Sequence, residues 1–151
     1  MPSIPFPGAL EELRARSLSI AAIYRGWAKR LPPSPIMQLA MSLAEQRLDL
    51  GKALGEVASE CGLRGVQVEF ELLPAEAPAA SDEVAEPGAL LKKMVAAEAA
   101  DHELLAAAAG AVVGASTAAA ERLAAEANAA RKRSLWAQDQ LELLDMLGPK
   151  P

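Results

Sequence analysis

The sequence predicts an all-α protein, and three observations carry that expectation. Hydrophobic residues make up 52% of the 151 residues and aromatics only 3%, so the interior has to be built mainly from Ala, Leu and Val. Ala and Leu are strong helix formers, and β-branched residues are sparse outside residues 66–70. Pro and Gly gather in clusters, which leaves long uninterrupted stretches between them. A chain of this length is large enough to bury a core as one domain spanning 1–151.

The first helix is expected over about 8–31, starting near Gly8 and stopped by Pro32-Pro33-Ser34-Pro35. Ser34 can cap the second helix, and Pro35 suits its first turn, where a missing N–H costs nothing. That helix is expected over 35–61, with Gly62 offering a left-handed C-terminal cap. Residues 62–87 break the helical pattern. Val66, Val68, Phe70 and Leu72 alternate as in an extended segment, and PAEAPAASDEVAEPG follows as a polar, Pro-rich connection. A third helix is expected over 88–112. Ser116 or Thr117 then caps a fourth over 117–147, before Gly148-Pro149.

The connections are unequal, and that carries topology. The first and third are short, so helices 1 and 2, and helices 3 and 4, are expected to form antiparallel hairpins. The middle one, about 26 residues over 62–87, is long enough to travel the length of a bundle, because extended chain covers ~3.3 Å per residue. The second and third helices can then lie parallel, giving two antiparallel hairpins joined by one long crossover.

Charge and composition narrow the function classes. A net charge of -5 and a pI near 5.0 speak against a nucleic-acid partner. Arg131-Lys132-Arg133 is a local basic cluster that reads as a solvated face in the C-terminal half of a helix. Cys61 is the single cysteine, so no intramolecular disulfide can form. With no secretory pattern in MPSIPFPGALEEL, a cytoplasmic location is expected. The most apolar run, LLAAAAGAVVGASTAAA at 104–120, is mostly Ala and closely flanked by charge, so no membrane span is expected. Gly110 and Gly114 form a GxxxG, a weak signal outside a span. No Ser-His-Asp set, Cys-His pair, Gly-rich phosphate loop or zinc spacing points to an enzyme.

The inward faces follow from a turn of about 100° per residue. On the third helix Leu91, Met94, Val95, Glu98, His102 and Leu105 share one stripe, with Asp101 at its edge. On the second, Arg47 is the charged member of a stripe running from Ile36 through Leu43 and Leu50 to Cys61. Ser17 interrupts the first helix's stripe of Leu10, Leu13, Tyr24, Ala28 and Leu31. The fourth helix offers Leu123, Ala127, Ala130, Ser134, Ala137 and Leu141. Polar groups at mid-stripe are informative, because burying a charge without a partner is costly.

YRGWA at 24–28, LAEQRLDLGKALGEVA at 43–58, MVAAEAADHELL at 94–105 and ERLAAEANAARKR at 121–133 together resemble the rubrerythrin branch of the ferritin-like superfamily. The resemblance covers most of the chain, in two halves. It implies a ferritin-like four-helix bundle, and in that family two irons are held by a Glu from one helix and a Glu-x-x-His from the next, twice over. Carried over, the first-helix Glu position falls on Ser17, the second-helix pair on Arg47 and Leu50, and the fourth-helix pair on Ala127 and Ala130. Only Glu98 matches, so no di-iron centre and no cofactor are expected. Iron remains the alternative, with Glu98 and His102 its candidate ligands.

Two arrangements stay open for the polar residues. Arg47 and Glu98 pair in the space the metals would fill, or each turns to water. The expectation for function is a non-catalytic bundle acting as a scaffold or partner-binding protein, with a homodimer or another protein as partner. A divergent metal-binding oxidoreductase or iron-handling protein is the alternative. A small-molecule pocket beside Glu98, in space left by Ala127 and Ala130, is a further one.

Overall fold

The structure is a computed structural model, and the residues it describes are 3–59, 66–69 and 86–147. Four long helices, α1 (Phe6–Arg30), α2 (Pro35–Ala58), α3 (Pro87–Val112) and α4 (Thr117–Leu147), make up nearly all of it. Two three-residue strands, β1 (Ser3–Pro5) and β2 (Gln67–Glu69), pair antiparallel with Ile4 opposite Val68. The extended reading of 66–69 thus acquires a partner strand that periodicity did not foresee, while Phe70 and Leu72 lie outside the described residues. The amide of Phe6 donates to the carbonyl of Val66 at 2.7 Å, tying the start of α1 to this short ladder.

The helix ends follow local chemistry. α1 begins at Phe6, two residues before the expected Gly8, because Pro7 is tolerated in a first turn. Ser34 Oγ accepts from the amide of Met37 at 3.1 Å and donates to the carbonyl of Pro32 at 2.9 Å. Ser34→Ala removes both bonds and should destabilise the protein by about 1 kcal/mol, read by urea unfolding; an unchanged midpoint would mean the cap contributes nothing. α2 ends at Ala58, short of the expected residue 61, with Ser59 turning back on Gly55. The cap expected at Gly62 lies outside the described residues. Ser116 caps α4 by accepting from the amide of Ala119 at 3.1 Å.

α1 packs along α2, and α3 along α4, as the short connections require. Gly51 permits the close approach of the first pair, since a Cβ there would come within 2.8 Å of Leu18 Cδ2. Two apolar clusters hold the helices together. One gathers Leu10 and Leu13 of α1, Leu50 and Leu54 of α2, Leu105 and Val112 of α3, and Leu123 and Ala127 of α4. The other gathers Tyr24 and Trp27, Ala40 and Leu43, Leu90 and Met94, and Ala137 and Leu141 from the same four helices.

Between them, at mid-height on every helix, come the buried polar residues: Ser17, Arg47, Glu98, Asp101 and Arg133. The core is therefore two apolar ends separated by a charged layer. Among the described residues no helix is long and apolar enough to cross a membrane. Gly110 and Gly114 meet no other described residue that a Cβ would touch, so among the described residues the GxxxG mediates no packing.

Candidate functional site

The charged layer is a chain of ion pairs that reaches all four helices. At its centre is Glu98 of α3, fully buried. Arg47 of α2 donates from Nε to Glu98 Oε2 at 2.7 Å, and Arg133 of α4 donates from Nε to Glu98 Oε1 at 2.6 Å. The phenol of Tyr24, on α1, donates to Glu98 Oε2 at 2.8 Å. Each carboxylate oxygen is thus bound by a guanidinium, and one also carries a phenol.

Asp101 extends the chain one turn further along α3. Arg16 of α1 donates from Nε to Asp101 Oδ1 at 2.8 Å. Arg47 Nη1 lies 2.8 Å from Asp101 Oδ2, a charge contact off the N–H axis. The order is Arg16, Asp101, Arg47, Glu98, Arg133. Glu98 and Asp101 share a helix face because they are three residues apart. Ser17 donates to the backbone carbonyl of Arg47 at 2.8 Å, which fixes the height of α1 against α2.

Burial sets the protonation states. It pushes the Tyr24 hydroxyl well above its usual range, and the neighbouring Glu98 carboxylate pushes in the same direction. Burial alone would lower the Arg47 value, but Glu98 and Asp101 outweigh it and hold the guanidinium charged. Its carbon also lies 5.6 Å from the centre of the Tyr24 ring, within cation–π range. Trp27 packs on Tyr24 with ring centres 5.6 Å apart. Glu126 of α4 is half-buried, and burial raises its carboxyl above the usual range against the pull of Arg133 and Arg122.

The residues singled out from sequence are not all brought together. Arg47 and Glu98 pair, both at 0% exposure, so neither side chain turns to water. Ser17 joins through a backbone carbonyl. Leu50, Ala127 and Ala130 belong to an apolar cluster instead. His102, placed at mid-stripe by the angular count, is only half-buried, and its Nδ1 pairs with the carbonyl of Ala127 at 2.9 Å. A carbonyl can only accept, so Nδ1 carries the proton in this bond.

Two expectations need correction. Asp101, placed at the stripe's edge, is buried at 3% exposure and takes the role beside Glu98 that the stripe gave to His102. Arg133, taken as part of a solvated basic cluster, is buried, while Arg131 and Lys132 are exposed. The Arg133 guanidinium lies directly beside Glu98. A sequence signal for Arg133 existed: it lies three residues after Ala130 and four before Ala137, both on the buried face. Arg16 stands likewise three after Leu13 and four before Ile20.

Fold and site together define a four-helix bundle crossed at mid-height by a buried Arg–carboxylate chain. Comparison with protein-family models, with curated proteins and with solved structures gives no match for this chain.

Proposed function

We propose that this chain is a rubrerythrin-like member of the ferritin-like superfamily in which a buried ion-pair chain replaces the di-iron centre, and that it serves as a scaffold or partner-binding protein without catalysis. The observation that carries this reading is the saturation of Glu98. The one carboxylate retained from the family's ligand set is bound by two guanidiniums and a phenol. Iron needs several carboxylate and imidazole ligands, and a guanidinium 2.6–2.7 Å from the surviving carboxylate would lie against the ion and repel it. Among the described residues no three His, Cys, Asp or Glu side chains stand together as a metal site. The residues present do not fit the metal.

The ferritin-like part of the reading draws on the apolar clusters. The C-terminal halves of α2 and α3 contribute to the same cluster, and their N-terminal halves to the other. That favours parallel α2 and α3, which calls for a connection as long as the helices, roughly 39 Å for the 26 residues of α3. The crossover expected over 62–87 lies mostly outside the described residues. A cytoplasmic location agrees with the single Cys61, which needs no oxidising compartment.

Metal analysis after iron loading tests the proposal. The purified protein should carry far less than one iron per chain. About two irons per chain, with the absorption of an oxidised di-iron pair, would overturn it.

A further inference from the structure

The outer face of the α1–α2 hairpin carries a groove of about 330 Å³. Its shape follows from side-chain size. Ala21, Ala22 and Gly26 form a low shoulder on α1, and a Cβ at Gly26 would meet nothing within 4 Å. Leu18 of α1 and Leu48 of α2 line one end, and the bond of Ser17 to the carbonyl of Arg47 sets Leu48 near the level of Leu18. Arg25 and Lys29 line the other end, about one and two turns beyond Ala22. Among the described residues no acidic side chain lines the groove, although the chain has a net charge of -5. Neither Arg25 nor Lys29 forms an ion pair among the described residues. Leu48, at 39%, is the one large hydrophobic side chain left exposed among the described residues of α1 and α2.

We propose that this groove binds the monomeric anion of a single-chain fatty acid, with the tail against Leu18, Ala22 and Leu48 and the carboxylate between Arg25 and Lys29. The separation of two chemistries along one line argues for this occupant. An apolar end and an unpaired basic end complement a molecule whose charge is confined to one end. The tail gains by leaving water, and a guanidinium presents paired donors that fit a carboxylate. An acidic amphipathic helix would instead call for charged and apolar positions interleaved every three or four residues. From Leu18 to Lys29 the helix rises about 16 Å, the length of an extended dodecanoate. The volume is at the lower end of ligand sites, which leaves room for a single tail. One side stays open to solvent, so for a ligand of this size Kd is on the order of 100 µM. None of the lining residues belongs to the ion-pair chain, so the proposal goes beyond the metal-free reading and does not depend on it.

Dodecanoate kept below its micelle concentration is the probe, titrated into the intact chain by calorimetry and by amide NMR. Amide shifts should move at Ala22, Gly26 and Leu48. Dodecyltrimethylammonium has the same tail and the opposite charge, and should bind at least about tenfold more weakly. Arg25→Glu combined with Lys29→Glu, both on exposed sites, should invert that preference. Octanoate should bind at least about tenfold more weakly than dodecanoate, because less tail is covered. Leu48→Gln should weaken dodecanoate about threefold while leaving the fold intact, read by circular dichroism. Equal binding of the two head groups, or shifts confined to α4 around Trp136, overturns the proposal. So does a groove that ignores dodecanoate while the double charge reversal abolishes self-association or binding to anionic phospholipid vesicles. Those results would give the groove to a second copy or to a lipid surface.

Discussion

Glu98→Gln should cost about 3–5 kcal/mol of stability, the range for breaking a fully buried ion pair by removing one partner. The neutral amide keeps the shape of the side chain but removes the charge that Arg47 and Arg133 share. It also offers one strong acceptor where two carboxylate oxygens now take three donors. Two buried guanidiniums would then have only Asp101, already engaged by Arg16, as a counter-charge in the layer. For a chain of this size the loss corresponds to a fall in Tm of roughly 6–20 °C. Arg47→Met should cost less, because Glu98 keeps Arg133 and Tyr24, and Asp101 keeps Arg16. Thermal and urea unfolding of the two variants would decide the matter, and a Glu98→Gln protein as stable as the parent would show that the layer holds nothing together.

Tyr24 should resist ionisation until the fold itself gives way. It is the only tyrosine in the chain, so the tyrosinate absorbance reports on this one hydroxyl. The ordinary value is 10.0, and burial followed by repulsion from Glu98 lifts the folded-state value well above it. Below pH 10 the hydroxyl is protonated in both states, and its contribution to stability is fully present. Above pH 10 the unfolded chain loses the proton while the fold retains it, so stability falls as pH rises. Absorbance and far-ultraviolet circular dichroism should therefore change together in an alkaline titration. Tyrosinate appearing near pH 10 with the helical signal intact would contradict the buried bond to Glu98.

The ion-pair chain does more than fill space. Bonds of Glu98 and Asp101 to Arg16, Tyr24 and Arg47 all cross from the α3–α4 hairpin to the α1–α2 hairpin. Apolar surfaces built largely of Ala and Leu would slide by a turn at little cost, while a charged layer at mid-height has one satisfying register. Buried ion pairs add little net stability against well-packed apolar groups, and fixing alignment is their best-attested role.

Sequence by itself determined the helices, because Pro and Gly clusters, Ser caps and Ala-Leu composition are local signals that act within a few residues. It marked Ser17, Arg47 and Glu98 as polar interruptions of inward faces, since a 3.6-residue period needs no knowledge of neighbours. Only the tertiary structure decided who meets whom. Arg133 was read as a surface charge, and Arg16 drew no reading at all, because a guanidinium on a long stem can reach inward from a stripe's flank. Asp101 and His102 differ by one step of about 100°, and the positions of α1, α2 and α4 around α3 decide which is buried. The pairing of β1 with β2 likewise joins segments more than sixty residues apart, a contact no local pattern encodes.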